Sequence, residues 1–445
     1  MTERPAPLPS RLQAWATVAL LFLASIFSVI DRSVLNVVVD AVKADLGMSD
    51  VQISLLQGLA FGIFYATMGV WLGFVADRWS RRLLVLGGIA LWSVATIGGG
   101  LAHSFETMFL SRLLVGLGEA ALAPAAISLI ADLFPPGQRG RPIGVYLTGQ
   151  AVANGISISI SGGLLAAAAH GAFAHWPVLS GLLPWRVVFV LCGLAGLFVS
   201  AALLFTREPP RGGRDADSPR IGVVEQVGTV FRYLGRERVK FLGVYLGFAC
   251  CFLGVYAAGA WQVAMISRKF GVSPAAVAGM MGPLSIAFGL TGPLVGGSIV
   301  DAVVKRAGEH GLLRLLSVLP LFALPSTFAV FARTPFSAAA LSSSLVGVTA
   351  VIGTGTLAYL QSAAPAHMRG IAVSITGLAN TLLGAALGPI LVALLTERVF
   401  GDDKLVGWAI LAVAAPAFLG GAALYALTAH LNRRRNAGAA LAEAI

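Results

Sequence analysis

The chain consists mostly of long apolar runs separated by short polar segments. A helix needs about 20 apolar residues to cross a bilayer core of about 30 Å, and runs of that length recur along the chain. The pattern predicts a membrane protein with twelve spanning helices, at residues 14–42, 51–75, 83–103, 107–133, 142–168, 185–206, 240–267, 275–301, 313–332, 336–361, 369–396 and 405–430.

One longer polar segment, rich in Arg and Pro, separates the first six runs from the last six. We therefore expect an all-α membrane protein built of two six-helix bundles. The predicted divisions are a cytoplasmic N-terminus at 1–13, a first bundle at 14–206, a cytoplasmic linker at 207–239, a second bundle at 240–430 and a cytoplasmic tail at 431–445.

The distribution of basic residues predicts the orientation. With the N-terminus inside, the inner segments carry 22 of the 31 Lys and Arg residues and the outer segments carry six; the other three lie in or beside spans. Lys and Arg collect in the cytoplasmic loops of membrane proteins. Both termini are therefore predicted to be cytoplasmic.

Composition excludes several classes of protein. Apolar residues make up 57% of the chain and charged residues 11%, against roughly 25% charged in soluble domains. The net charge of +11 is spread over short segments between apolar runs, so it predicts contact with membrane lipids and not with nucleic acid. The cysteines and histidines show no metal-ligand spacing, and no enzyme motif is present. We expect no cofactor, no metal and no enzymatic activity.

Two short sequences recur in the second half of the chain. The segment 73–82, which follows the second predicted helix, is echoed by 297–306 after the eighth, and 138–140 is echoed by 368–370. The offsets of 224 and 230 residues are both close to half of 445. Repeated halves of this kind are typical of transporters, in which a central site opens alternately to each side of the membrane.

Charged residues inside spans are few and lie in the first half. Such charges are costly in a membrane and usually functional. Asp31 and Arg32 lie in the first helix, and Arg112 and Glu119 lie in the fourth. At 1.5 Å per residue, Asp31 and Arg112 share a similar depth, and Glu119 is two turns deeper. We expect Asp31 and Arg112 to approach each other, with Glu119 nearer the midplane.

This arrangement suggests a device for coupling protons to an anion. Burial and a nearby arginine have opposite effects on how readily a carboxyl group binds a proton. Glu119 is the predicted main proton site and Asp31 the second, and Arg112 and Arg32 would bind the anion through their planar guanidinium groups. The alternative is a buried ion-pair network that only holds two helices together. Further predicted substrate-binding residues are Asn36, Tyr65, Asn154, Tyr359 and Asn380.

The loop after the second helix resembles the G-x-x-x-D-R-x-x-R-R motif of the major facilitator superfamily. Gly73, Asp77, Arg78, Arg81 and Arg82 match it. The resemblance implies the twelve-helix, pseudo-symmetric fold of that superfamily, and a gate at the inner membrane surface. The alternative is a solvated basic loop that only sets topology. The predicted gate residues are Asp77, Arg78, Arg81, Arg139 and Asp301.

Two further motifs resemble the spinster-like members. These are the Asp31-Arg32 pair and the pattern R-x-x-x-G-x-G-E-A that begins at Arg112 and contains Glu119. The resemblance implies proton-coupled movement of lysophospholipids or sphingoid phosphates. Organic-anion symporters of the superfamily share the helix-1 pair and a similar helix-4 stretch. Drug antiporters usually carry a Gly-Pro motif in the fifth helix, and the fifth helix here has no Pro between Ile143 and Ala169.

The sequence as a whole predicts a transporter of an amphipathic anion that works by proton-coupled alternating access. The alternatives are a symporter of small organic anions such as sugar acids, an exporter of drugs or secondary metabolites, and a membrane sensor that does not translocate. The predicted location is a bacterial inner membrane, because Arg, Ala and Gly are abundant. A monomer is expected.

Overall fold

In a computed structural model, the protein is described over residues 9–209, 228, 232–365 and 368–443, and these residues contain helices but no strand. Eleven helical stretches in this part of the chain are long and apolar enough to cross a membrane. One of them, Pro274–Phe331, has 58 residues, enough for two crossings. Its backbone leaves helical geometry at Gly308 (φ 57°, ψ −152°), between the eighth and ninth predicted spans. The predicted all-α membrane fold is confirmed, and the break at Gly308 divides this long stretch into two segments.

The described helices form two compact units. The first contains the helices from Arg11 to Leu203 together with the segment Val272–Ile286, and the second contains the other helices. The helices of the first unit are α1 (Arg11–Val37), α2 (Val39–Leu46), α3 (Asp50–Ser54), α4 (Ala60–Arg78), α5 (Arg81–Gly100), α6 (Phe105–Glu119), α7 (Leu122–Leu133), α8 (Gly140–Ala169) and α9 (Pro184–Leu203), with a π-helical turn at Leu55–Leu59 and a 3-10 turn at Pro136–Gln138.

The second unit is less regular than the first. Its helices are α10 (Arg238–Phe270), the rest of α11 (Pro274–Val318), α12 (Leu324–Thr327), α13 (Pro335–Ala363), α14 (Arg369–Ala379), α15 (Leu387–Leu394) and α16 (Val406–Glu443). Between them lie 3-10 turns at Leu319–Ala323, Phe328–Phe331 and Asp403–Leu405, and π-helical turns at Asn380–Ala386 and Leu395–Phe400.

The ninth predicted span, 313–332, is not one continuous α-helix. The end of α11 is followed by a 3-10 turn, the short α12 and a second 3-10 turn. Pro320 and Pro325 lie in this stretch, and proline has no main-chain N–H to continue an α-helical hydrogen-bond ladder. The apolar length of this stretch predicted a helix, and the prolines decide its internal geometry.

Polar residues at the helix starts set where several spans begin. The side chains of Ser10, Ser104 and Thr334 each accept a hydrogen bond from the main-chain N–H three residues later, and that residue's side chain bonds back to the cap. This capping box satisfies main-chain groups that the first helical turn leaves without partners. Gly271 and Gly401 end helices with φ of 66° and 64°, a left-handed conformation that favours glycine.

Two glycines on α6 bring its backbone against its neighbours. A Cβ at Gly118 would lie 2.6 Å from the carbonyl oxygen of Gly88 on α5, and one at Gly116 would collide with the carbonyl oxygen of Phe61 on α4. Small residues allow membrane helices to approach this closely. These glycines therefore admit neighbouring helices, and they fix the position of the charged residues on α6.

One buried arginine in the first unit has a structural role at the start of α9. Arg186 donates to a carboxylate oxygen of Asp45 at 2.7 Å and 3.0 Å, and to the carbonyl of Gly100 at 3.1 Å. The indole N–H of Trp185 donates to the same Asp45 oxygen at 3.2 Å. These bonds join the ends of α2, α5 and α9, so they account for the intramembrane position of Arg186.

Candidate functional site

The carboxylate of Glu119 lies at the C-terminal end of α6, and its side chain has no exposed surface. One of its oxygens, Oε2, accepts hydrogen bonds from Ser28 Oγ and from Arg32 Nη2, both at 2.8 Å. Within the described part of the chain, Oε1 has no hydrogen-bond partner. Two donors from α1 therefore meet one oxygen from α6, and this joins the two helices through a buried carboxylate.

Arg32 is the partly exposed member of this ion pair. Its side chain keeps 30% of its surface exposed, while its guanidinium carbon lies 4.5 Å from the centre of the Phe61 ring and 5.1 Å from that of Tyr65. The two rings stack on each other with centroids 5.0 Å apart. A guanidinium over aromatic faces is attracted by the negative ring surface. The rings of α4 therefore lie against the guanidinium of Arg32, and part of the Arg32 side chain stays accessible.

Arg112 occupies a different environment from the one that the sequence suggested. It is fully buried, and its guanidinium donates to the main-chain carbonyls of Asp31 at 2.6 Å and Arg32 at 2.8 Å. A third, longer bond of 3.5 Å reaches the carbonyl of Leu56 in the π-helical turn. Asp31 and Arg112 do approach each other, but through the main chain of Asp31 and not through its carboxylate. This geometry favours a bracing role for Arg112 over direct binding of an anion.

The carboxyl group of Asp31 is buried without a hydrogen-bond partner among the described residues. Its exposure is 0%, and neither carboxyl oxygen has a donor within bonding geometry. An ionised carboxylate in such a place is costly, because nothing replaces the water it has lost. A proton on Asp31 would remove that cost.

An amide pair on α1 and the π-helical turn lies near the ion pair. Gln57 donates through Nε2 to the side-chain oxygen of Asn36 at 3.1 Å. Single π-helical turns inside membrane helices are often found at functional sites. The sequence analysis singled out Asn36 and missed Gln57, because one amide in an apolar run carries no pattern. Asn154, also predicted to bind substrate, lies exposed on α8.

The two predicted binding residues of the second unit lie in different settings. Tyr359 is fully buried; its hydroxyl donates to the carbonyl of Lys240 at 3.3 Å and accepts from Asn432 at 3.2 Å. These bonds tie Tyr359 to α10 and α16, which points to a structural role. Asn380 begins the π-helical turn Asn380–Ala386, and its buried Oδ1 has no partner among the described residues. Asn380 is therefore a better candidate than Tyr359 for a polar contact with a substrate.

Arg81 is the centre of an ion-pair network at the predicted inner surface. It is 2% exposed and forms ion pairs with Asp132 and with Glu208, the latter at 3.0 Å. Glu208 also accepts from Ser80 Oγ at 2.8 Å and from the main-chain N–H of Arg82 at 2.8 Å. The start of the segment after α9 is thus bound to the first turn of α5. The sequence analysis missed Glu208, because only folding brings it back to that helix end.

The other predicted gate residues are not joined to this network by any described contact. Arg78 and Asp301 are exposed, and Arg139 donates to the carbonyl of Phe134 at 3.1 Å. The side chain of Asp77 lies outside the described residues. The gate remains a prediction, with Arg81 as its structurally integrated member.

The network predicts a pH-dependent contribution of Glu208 to stability. Burial raises the pKa of this carboxyl group, but hydrogen bonds from Arg82, Ser80 and Arg81 outweigh burial and hold the pKa below its usual range. A lowered pKa stabilises the fold fully above about pH 4.3, the ordinary value for glutamate, and this stabilisation is lost as pH falls through the lowered pKa.

Glu208→Gln should therefore destabilise the protein by about 1–2 kcal/mol at neutral pH, as expected for a charged helix cap. The deficit should stay constant from pH 8 to pH 5 and shrink below about pH 4. Thermal melts of the two proteins in detergent test this. Glu309→Gln, at an exposed position on α11, is the matched control and should melt like the wild type. Equal melting temperatures for Glu208→Gln and the wild type at pH 7 would contradict the prediction.

Comparison with known proteins identifies the family. The family model of the Major Facilitator Superfamily matches residues 21–389. The chain belongs to this superfamily, and the resemblance that the loop motif suggested is confirmed. It is a multi-pass membrane protein whose fold and family are those of transporters.

The chain is similar to several kinds of transporter within the superfamily. It is 28% identical over 428 residues to an MFS-type efflux pump of Mycolicibacterium smegmatis, covering 95% of this chain and 94% of the relative. It is 30% identical over 256 residues to protein spinster homolog 1 of Bos taurus, covering 57% and 46%. It is 26% identical over 298 residues to a hexuronate transporter of Bacillus subtilis, covering 66% of each chain.

A solved structure extends the spinster resemblance to the whole fold. A bacterial homolog of the human lysosomal transporter Spinster, in an inward-facing and unoccupied conformation, superposes with a TM-score of 0.77. The two are 25% identical, and the match covers 95% of this chain and 97% of the other. The predicted spinster-like character is confirmed.

Proposed function

We propose that this protein is a proton-coupled transporter that moves an amphipathic anion, such as a lysophospholipid, by alternating access. The observation that carries the proposal is the ion pair between buried Glu119 and partly exposed Arg32. A proton on Glu119 neutralises the partner of Arg32, so the charge of Arg32 becomes available to an anion. Proton binding and anion binding are then linked at one oxygen atom.

The charge balance of the cluster supports this linkage. Asp31 and Glu119 together balance Arg32 and Arg112 when all four groups are ionised. Binding one proton leaves a net charge of +1 in a medium where unbalanced charge is costly. An anion with one negative charge restores neutrality. The cluster therefore favours binding a proton and an anion together.

The surroundings of Arg32 fit a phosphate or carboxylate head group. A guanidinium offers two parallel N–H donors to either group. The stacked rings of Phe61 and Tyr65 place an apolar surface beside it. An anion that carries an apolar portion would contact both the charge and the rings.

The second unit supports a substrate with an apolar tail. Helix α10 has no charged residue between Lys240 and Arg268, and α13 has none over its whole length, Pro335–Ala363. These spans therefore offer a substrate neutral side chains and no charge. The hexuronate transporter among the relatives favours the small-anion alternative, and the efflux pump favours the exporter alternative.

Proton flux in proteoliposomes loaded with a pH-sensitive dye tests the proposal. We expect a lysophospholipid to drive proton movement with the wild type, and Asp31→Asn to reduce it to the level of protein-free vesicles. Asp402→Asn is the control, because Asn replaces Asp well as a helix cap and Asp402 caps an outer turn.

The alternatives give different results in the same assay. Flux with a sugar acid and not with a lysophospholipid would replace the lipid proposal with the small-anion one. Flux only with drug-like cations would favour an exporter. Binding of the lysophospholipid without flux, in wild type and Asp31→Asn alike, would favour a sensor and overturn the transport proposal.

A further inference from the structure

An apolar groove runs along the surface of the second unit between α10, α15 and α16. Its volume is about 600 Å³, within the range of sites that bind small molecules. Leu391 and Leu394 of α15 are each 38% exposed, and Val399 in the following π-helical turn is 66% exposed. The groove is therefore open at the protein surface. Since these helices belong to membrane spans, that surface faces the acyl chains of lipids.

Small residues of α16 form one wall of the groove. Ala412, Pro416 and Ala417 line it, and Pro416 lies in the interior of the helix. Proline has no main-chain N–H for an α-helical bond to the carbonyl of Ala412, and its ring crowds that carbonyl, so helices bend at such positions. The alanine side chains are too short to fill the space beside α15. A larger side chain at position 412 would therefore occupy the groove.

Arg398 is the charged residue among the described residues that line the groove. It lies in the π-helical turn Leu395–Phe400, and Gly401 ends the helix there with φ of 64°. The end of a membrane span lies near the lipid head groups. Leu391, which also lines the groove, lies about 10 Å from Arg398 along the helix, at 1.5 Å per residue. The groove therefore places a cation near the head groups and an apolar surface deeper in the bilayer.

The charge of Arg398 is available to a ligand. No hydrogen bond or ion pair joins Arg398 to another described residue, and its side chain is exposed. Glu397 precedes it in the chain, but adjacent residues of a helix do not face each other. Membrane topology does not account for Arg398 either, because Lys and Arg that set topology collect on the cytoplasmic side and Arg398 lies in a segment predicted to be outside.

We propose that the groove binds one membrane phospholipid with an anionic head group, such as phosphatidylglycerol. Its phosphate contacts the guanidinium of Arg398, which offers two parallel N–H donors, and an acyl chain lies between α15 and α16. A zwitterionic lipid fits less well, because its own cation offsets the phosphate charge. The inference does not depend on the proposed function, since the groove belongs to the second unit and the pair of Glu119 and Arg32 belongs to the first.

Native mass spectrometry of the purified full-length protein tests the proposal. Phosphatidylglycerol is added in detergent, and phosphatidylcholine with the same acyl chains is added in a parallel sample. We expect the wild type to retain one phosphatidylglycerol under conditions that remove phosphatidylcholine. Arg398→Gln should weaken the binding of phosphatidylglycerol by about tenfold, as expected for the loss of hydrogen bonds to a charged group.

Two further variants separate the groove from the general charge of the protein. Arg333→Gln is the matched control, because Arg333 is also exposed, lies in a segment predicted to be outside and does not line the groove. It should retain phosphatidylglycerol like the wild type. Ala412→Phe keeps Arg398 but fills the groove from an exposed position on α16, so it should also lose the bound lipid.

Several outcomes would overturn the proposal. Equal retention of phosphatidylglycerol by the wild type and Arg398→Gln would remove Arg398 from the site, and an equal loss in Arg333→Gln would show a general effect of charge. Undiminished retention by Ala412→Phe would exclude the groove. Retention of a lysophospholipid in preference to phosphatidylglycerol, lost in Arg398→Gln, would assign the groove to a single-chain lipid instead. Proton flux is measured separately, so either proposal can fail while the other stands.

Discussion

Replacing Glu119 by Gln is expected to reduce proton-driven transport to the level of protein-free vesicles while the protein still folds and binds its anion. The Gln side chain has the same shape, and its carbonyl oxygen accepts hydrogen bonds from Ser28 and Arg32 as the carboxylate does at 2.8 Å. The Gln amide binds no proton, so position 119 can no longer couple transport to a pH gradient. The fold is preserved because both donors from α1 keep a partner.

The substitution should uncouple transport without abolishing it. With Gln at 119 and Asp31 ionised, the cluster carries a charge of +1, which an anion neutralises without a proton on residue 119. Exchange of labelled lysophospholipid for unlabelled lysophospholipid should therefore continue, while uptake driven by a pH gradient stops. The measurement is the ratio of exchange to gradient-driven uptake in proteoliposomes.

Glu106→Gln is the matched control for this experiment. Glu106 lies on the same helix as Glu119, in the first turn of α6, and is exposed. Its replacement should leave both activities unchanged. Undiminished gradient-driven uptake by Glu119→Gln would exclude Glu119 as the main proton site and leave Asp31 as the candidate.

The largest loss of stability is expected from Arg112→Ala. This change removes a fully buried guanidinium that bonds to the carbonyls of Asp31 and Arg32. It also leaves the carboxyl groups of Asp31 and Glu119 with one positive charge fewer. Breaking a buried ionic network by removing one member costs about 3–5 kcal/mol. We expect a much lower melting temperature in detergent and a smaller folded yield.

Comparison with Arg32→Gln separates two roles: holding helices together, which we assign to Arg112, and binding the anion, which we assign to Arg32. Arg32 is partly exposed and pairs with the Glu119 carboxylate, so its replacement should fold better than Arg112→Ala but bind the anion weakly. Arg112→Lys should recover little stability, because one ammonium group does not match the planar pair of donors that reaches two carbonyls. A variant Arg112→Ala that melts like the wild type and has lost anion binding would reverse the two roles.

The charged residues show both the reach and the limit of sequence analysis. Charge inside apolar runs identified Asp31, Arg32, Arg112 and Glu119, and helix geometry predicted that Asp31 and Arg112 would be close. The partner of each group could not be predicted, because a shift of a few ångströms decides whether a guanidinium meets a carboxylate or a main-chain carbonyl. Those positions depend on how closely α6 packs through Gly116 and Gly118.

Residues without a charge in the membrane were harder to find. Gln57 lies in an apolar run where an amide carries no pattern, and Glu208 lies in a polar segment where one more carboxylate does not stand out. Each becomes significant through a neighbour that is 21 or more residues away in the sequence, such as Asn36 for Gln57. Tyr359 is the opposite case: the sequence predicted it to bind substrate, but its hydroxyl is hydrogen-bonded to the carbonyl of Lys240 and to the side chain of Asn432.

The sequence by itself determined the membrane class, the positions of the spans, the superfamily and the residues that carry charge into the bilayer. These follow from properties that do not depend on the fold: the free-energy cost of placing a residue in lipid, and the membership of a residue in a short sequence motif. Only the tertiary structure decided which hydrogen bonds those charges make. It joined Glu119 to Arg32, directed Arg112 to the main chain and left the buried Asp31 carboxyl group without a hydrogen-bond partner among the described residues. Hydrogen bonds act over about 3 Å, and side chains from separate helices come that close only after the helices have packed.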